Sequence, residues 1–298
     1  MSLSADDAAS LIGDQFPELA PVRATPIAEG GDHQTFEVNG SHIFRFPRTD
    51  ATAAKMQLET ALLERLAPQL AIPAPVFEYR GHPGPRFPHP FAGHRMLAGV
   101  SGELVRPGPR SQPPVTRQLG RFLSALHSYP SERALEAGTV AMSLPDAALV
   151  LQWLGDHEHA IRDLVPPDLR SAVDPYLTSR VALPSTADGG LVVTHHDLKG
   201  EHILLSPSGD LVTGIIDWTD ICLVDPLTDF VGLSIWLGEP FVRLVLKSYQ
   251  QPLPDGFVER LRFFARSGAL EQLGLLASGE SDAPLELLLR QLRWTFIE

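Results

Sequence analysis

The 298-residue chain has a single cysteine, Cys222, so no internal disulfide staples it, and packing and hydrogen bonding must hold its fold. One thiol also fits a reducing compartment. No stretch approaches the roughly eighteen apolar residues of a membrane-spanning helix. The opening residues, MSLSADDAAS, are acidic where a secretory leader is basic, and they lack an apolar core. These absences predict a cytoplasmic chain. A basic surplus is missing too: 24 Lys and Arg stand against 36 Asp and Glu, a net charge of −12, which argues against a nucleic-acid partner. Such a charge attracts cationic small molecules, and it equally serves solubility. There are no internal repeats, and no biased tracts beyond Pro-rich joints. What remains is an ordinary globular balance, 44% hydrophobic and 20% charged, in a chain long enough for two modest cores. A monomer or weak dimer is expected.

The most informative stretch is Thr194–His202, THHDLKGEH, followed by Gly214–Asp229, GIIDWTDICLVDPLTD. Leu191–Val193 predicts a short strand, and the loop leaving it gathers His195, Asp197 and His202. Ile203–Leu205 and Leu211–Ile216 predict two further strands around the turn SPSGD, where Gly209 supplies positive φ. The resulting hairpin brings Asp197, His202 and Asp217 to one edge.

That order, H-x-D followed by an Asp-aromatic pair, is the pattern of phosphoryl transfer. An alcohol attacking a γ-phosphoryl group needs an acceptor for its proton, which Asp197 supplies; His195 is the second catalytic candidate. Mg²⁺ takes oxygen ligands, and Asp217 is a hard anion at a strand end. Where kinases carry Asn, this chain has His202, a softer ligand than an amide oxygen. Either Asp217 carries most of the metal binding, or His202 holds a metal-bound water or a phosphate oxygen.

Upstream, Ala5–Gln15 predicts a helix capped by Ser4. Arg23–Ala28, Gln34–Val38 and Ser41–Phe46 predict strands, the last two joined by the hairpin signal Asn39-Gly40. Gly30 and Gly31, between the first two, are candidates for bringing backbone N–H groups against phosphates. Arg45 alternates with Phe44 and Phe46 and so faces away from both. It stands where kinases place a phosphate-binding Lys, and Arg binds phosphate bidentately. Apolar spacing predicts a helix over Ala53–Leu66, on which Glu59, rather than Glu64, is the expected partner of Arg45. Val76–Tyr79 and Phe91–Leu97 predict strands, the second leading into a hinge where adenine would meet backbone. Gly99–Gly102 and Pro107–Pro114 mark a crossing between domains, placed at 1–98 and 99–298.

Beyond the crossing the spacing is mostly helical: Val115–Ser128, Asp146–Leu164, Phe230–Tyr249, Gly256–Ala277 and Pro284–Phe296. His127 reads as structural. Asp156, Glu158 and Glu239 are the acidic candidates for receiving a cationic acceptor, and Trp153, Trp236 and Phe241 the candidates for an apolar one.

With GGDHQTF, IFRFPR, LGRFLSALHS, THHDLKGEHILL and GIIDWTDICLVDPLTDF in view, the chain resembles the aminoglycoside phosphotransferase family, small-molecule kinases related to choline kinases. The Arg in IFRFPR and the His at 202 look most like its macrolide phosphotransferase branch. The resemblance covers nearly the whole chain. It implies an α+β, bilobal protein-kinase-like fold, with a small N-terminal antiparallel-sheet lobe and a larger, mainly helical C-terminal lobe. It further implies ATP or GTP with Mg²⁺ between the lobes, Asp197 as base, Asp217 as metal ligand and Asp229 as support for the catalytic loop. The expected reaction is O-phosphorylation of an aminoglycoside-like molecule. A macrolide, an amino-alcohol metabolite, or a weakly active nucleotide-binding protein are the alternatives.

Overall fold

A computed structural model describes residues 3–29, 32–110, 112–184 and 190–297. Three strands, β1 (Ala24–Glu29), β2 (His33–Val38) and β3 (His42–Pro47), pair antiparallel in chain order, and β5 (Phe91–Arg95) and then β4 (Tyr79–Gly81) extend the sheet beyond β3. Asn39 and Gly40 turn β2 into β3 at φ 54° and 67°, the double left-handed geometry of a two-residue hairpin. One face of the sheet is aromatic: Phe36, Phe44, Phe46 and Phe91 are buried, and α1 (Ala5–Gln15) covers them through Ala8, Leu11 and Ile12. Strand alternation turns Arg45 to the other face, toward α2 (Asp50–Leu66). This helix starts earlier than apolar spacing suggests, because Thr49 caps it and accepts from the Thr52 N–H.

The apolar side of α2 does not join the aromatic cluster. Met56, Leu62, Leu63 and Leu66 enter the main core of the other lobe. That core also holds Leu119, Phe122 and Leu126 of α3 (Gln112–His127) and Phe230, Leu233 and Trp236 of α8 (Leu227–Leu246). α2 is thus packed into the helical lobe while one of its polar faces looks at β3. Each such fully buried apolar side chain contributes about 1.5–3 kcal/mol relative to exposure.

Two small sheets lie on this core. β8 (Ile203–Leu205) and β9 (Val212–Ile215) form the expected hairpin, with β6 (Val100–Ser101) added against β8. β7 (Val192–Thr194) stands apart from it and pairs with β10 (Cys222–Val224), so the loops after β7 and β9 are pinned at both ends. The short helix α4 (Ser131–Glu136) precedes a second core built by α5 (Ala147–Asp156), α6 (Glu158–Leu164), α7 (Arg170–Leu177), α9 (Phe257–Ser278) and α10 (Leu285–Phe296).

Some expectations need correction. The helix expected over Asp146–Leu164 is two, divided at His157 (φ −104°, ψ 10°), whose ring stacks on Trp153 at 4.0 Å. α8 is kinked at Gly238 (φ 81°), two residues before Pro240, which has no N–H to continue the ladder. The strand expected at Val76–Tyr79 begins only at Tyr79. Among the described residues no helix is long and apolar enough to cross a membrane.

Candidate active site

The loop after β7 is held from below by one carboxylate. Asp229, in the first turn of α8, is fully buried; its Oδ2 accepts from the His195 N–H at 3.2 Å and its Oδ1 from the His196 N–H at 2.9 Å. The same Oδ2 lies 3.0 Å from His127 Nε2, whose ring reaches the Tyr249 hydroxyl at 2.8 Å through Nδ1. Burial pushes the Asp229 carboxyl up, but His127, His195 and the His196 N–H outweigh it and hold it below the usual range. Further along α8, Gly232 supports the loop by contact, since a Cβ there would stand 2.2 Å from the Leu198 carbonyl oxygen.

His195 is not on the open side of this loop. Its Nε2 meets the Ile216 carbonyl oxygen at 3.0 Å, its Nδ1 accepts from the Asp197 N–H at 3.3 Å, and the ring packs on Trp218. Burial lowers its pKa, so the ring is neutral. With both nitrogens bonded inside the protein, His195, expected as a second catalytic candidate, is placed to fix the backbone of Asp197.

Asp197, His202 and Asp217 do share one edge. His202 Nδ1 lies 2.8 Å from the Asp197 carbonyl oxygen and 3.4 Å from Asp197 Oδ2, and its Nε2 lies 3.5 Å from Asp217 Oδ2. Lys199 Nζ stands 3.3 Å from Asp197 Oδ1 and 2.6 Å from Glu201 Oε1, and these two carboxylates raise its pKa against the effect of burial. A carbonyl oxygen can only accept, so in the neutral His202 ring the proton sits on Nδ1. Nε2 then points a lone pair toward Asp217 Oδ2 and Glu201 Oε1, each 3.5 Å away. Acceptors facing one another suit a divalent cation, so the donor set fits a metal. Among the described residues no group of three or more His, Cys, Asp or Glu is placed to hold a metal ion by itself. An ion here would be completed by phosphate oxygens and water, as Mg²⁺ commonly is.

From the other lobe, Arg45 Nη1 donates to both oxygens of the fully buried Glu59, at 2.8 and 2.9 Å. Glu64 instead pairs with Arg80 at the surface. Arg45 Nη2 lies 3.3 Å from His33 Nδ1, donates to the Thr219 hydroxyl and stands 3.7 Å from Asp217 Oδ1. Partial burial pushes the Asp217 carboxyl up; His202, Arg45 and the Thr219 hydroxyl reverse this and leave it lowered. Asp217 holds φ at 61°, a conformation uncommon outside glycine. Gly30 and Gly31 lie outside the described residues.

The acidic acceptor candidates are not brought together as free charges. Asp156 is exposed at the end of α5. Glu158 is bonded by Arg162 at 2.7 Å. Glu239 is clasped by Arg243 and Arg262, at 2.7 and 2.9 Å, beside a cavity of about 390 Å³ that Arg266 and Trp294 also line. Trp236 and Phe241 are core residues, and Trp153 packs on the second core, so none of the three offers an open apolar pocket. Sequence reasoning missed Thr219 and His33. The signal for Thr219 was its place in Asp-Trp-Thr, where kinases have Gly.

A two-lobed fold, with a buried Arg-Glu pair facing a loop aspartate and a strand-end aspartate, defines a kinase-like phosphotransferase. The chain belongs to the phosphotransferase enzyme family (APH), whose model matches residues 23–263. It is thus a small-molecule kinase. Viomycin phosphotransferase of Streptomyces vinaceus is 26% identical over 281 residues, covering 90% of this chain and 93% of that protein. The GDP complex of aminoglycoside 2'-phosphotransferase-IIIa superposes with a TM-score of 0.74 at 25% identity, covering 97% of this chain and 99% of that one. A macrolide 2'-phosphotransferase from Brachybacterium faecium shares the fold, with a TM-score of 0.62 at 20% identity over 96% of this chain and 98% of its own.

Proposed function

We propose that this enzyme transfers the γ-phosphoryl group of ATP or GTP to a hydroxyl of an antibiotic-like small molecule, with residues 1–98 holding the nucleotide and 99–298 the acceptor. Asp197 accepts the hydroxyl proton and orients the oxygen for attack. Asp217 and His202 hold Mg²⁺, which when bound neutralises charge on the phosphates. Arg45, fixed by Glu59, meets the α- and β-phosphates from the sheet side. Asp229 keeps the Asp197 loop in register. The observation that carries this reading is the His202 ring, which touches Asp197 with one nitrogen and faces Asp217 with the other. Base and metal carboxylate therefore lie across a single imidazole. The GDP complex of a relative keeps GTP beside ATP as donor.

For the acceptor, the arginines on Glu158 and Glu239 favour a molecule with few amines, a macrolide or an amino alcohol, over a polycation. A carboxylate whose charge is already balanced by a guanidinium draws an ammonium less strongly than a free one does. Nucleotide consumption against aminoglycosides, viomycin-like peptides, macrolides and small amino alcohols tests both levels. Turnover with any of them supports the kinase, and turnover confined to polycations overturns the acceptor assignment. Silence throughout, despite nucleotide binding, would leave a nucleotide-binding protein.

A further inference from the structure

Kinases follow the metal-binding aspartate with an aromatic and a glycine, so the third position has no side chain; here it is Thr219. We propose that Thr219 is a positioning residue, which sets the Asp217 carboxylate two residues before it and is itself held by Arg45 of the small lobe. The proposal rests on the reading of Asp217 as the carboxylate that meets the metal.

Proton direction follows from the partners. A guanidinium only donates, so Arg45 Nη2 gives a hydrogen to the Thr219 oxygen. The one hydroxyl proton is then directed to Asp217 Oδ1, 3.0 Å away. Oδ1 is thereby engaged on the side of the small lobe, and Oδ2 is turned to His202 Nε2. Arg45 Nη2 itself stays 3.7 Å from this Oδ1, and the Asp217 side chain is 47% exposed on a left-handed backbone, so the Thr219 hydroxyl is the nearer hold on that oxygen. Glu59 fixes Arg45, so an unbroken line runs from a buried carboxylate on α2 through Arg45 and Thr219 to Asp217. The segment is clasped again where Lys55 of α2 reaches Asp220 at 3.3 Å. A displacement of α2 against this loop reaches the metal-facing carboxylate through Arg45 and the Thr219 hydroxyl.

Thr219→Val keeps the shape and removes the hydroxyl, whereas Thr219→Ser keeps the hydroxyl. Calorimetric titration with ADP, in Mg²⁺ and in chelator, reads metal-dependent affinity, with apo thermal unfolding alongside and kcat measured on whichever acceptor is turned over. Loss of an outer partner of a metal ligand costs about 10–100-fold in metal affinity or activity. The Val variant is expected to lose that much of its affinity in Mg²⁺, with affinity in chelator and unfolding temperature unchanged, and the Ser variant to recover it. A Val variant that binds Mg·ADP like the parent overturns the proposal. So do equal losses in both variants with a lowered unfolding temperature, which would mean packing alone. A parent chain that binds no nucleotide refutes the kinase reading itself, and this inference with it.

Discussion

His202 Nε2 stands 3.5 Å from Oδ2 of Asp217, while Nδ1 of the same ring is anchored on the Asp197 carbonyl oxygen at 2.8 Å. The ring is therefore oriented by the loop that carries Asp197, the proposed base, and presented to Asp217, the proposed metal carboxylate, in the loop after β9. His202→Ala removes both the anchor and the donor. It is expected to lower kcat by about 10–100-fold and to raise the Mg²⁺ concentration needed for half-maximal rate. His202→Asn restores an oxygen donor suited to Mg²⁺ and should lie between the two. Steady-state rates across a Mg²⁺ series check the order; an alanine variant with the parent's Mg²⁺ dependence would remove His202 from the metal site.

The Arg45–Glu59 pair is expected to carry stability as well as phosphate contact. Glu59 is fully buried, and burial raises its pKa while Arg45 draws it back. Removing one partner of a buried pair leaves the other charge uncompensated, at a cost of about 3–5 kcal/mol. Glu59→Ala should accordingly unfold at markedly lower denaturant than the parent, and a coincident transition would contradict the burial of this pair.

His33 gives the fold a pH dependence of its own. Burial, and then the adjacent Arg45 charge, push its pKa from 6.5 down to about 4. The folded state thus resists protonation that the unfolded chain accepts. This contribution is complete above pH 6.5 and is lost as pH falls toward 4, by roughly 2–3 kcal/mol. Substituting His33→Gln removes the titration, so stability should fall less between pH 7 and pH 4 than in the parent. Parallel curves for the two would show that His33 does not titrate in that window.

Much of this arrangement was legible in the sequence because chemistry constrained it locally. Asp197, His202 and Asp217 follow one another around a hairpin whose strands and turn announce themselves, and Arg45 between two phenylalanines had to face away from the aromatic core. Long-range contacts were harder to see. Nothing near His195 in the sequence says that Ile216 closes over its ring, and nothing near Glu239 says that Arg262, on another helix, neutralises it. His157 divides a continuous apolar pattern and stacks its ring on Trp153, a contact that periodicity does not register.

Gly232 on α8 offers a purely steric test of how the loop is supported. A methyl group there would meet the Leu198 carbonyl oxygen at 2.2 Å, against backbone that cannot step aside cheaply. Gly232→Ala is expected to lower kcat, because Asp197 precedes Leu198 and moves with it, while Mg·ADP affinity changes less. An alanine variant with unchanged kcat would show that α8 does not set the position of this loop.

The most direct measurement is turnover by Asp197→Asn beside its nucleotide affinity. The amide keeps the size of the carboxylate but cannot take a proton. A general base contributes about 10²–10⁴-fold, so the phosphoryl-transfer rate should fall by that factor with Mg·nucleotide affinity nearly intact. A variant that keeps the parent rate, or one that loses nucleotide binding and nothing more, would contradict the assignment of Asp197 as the base.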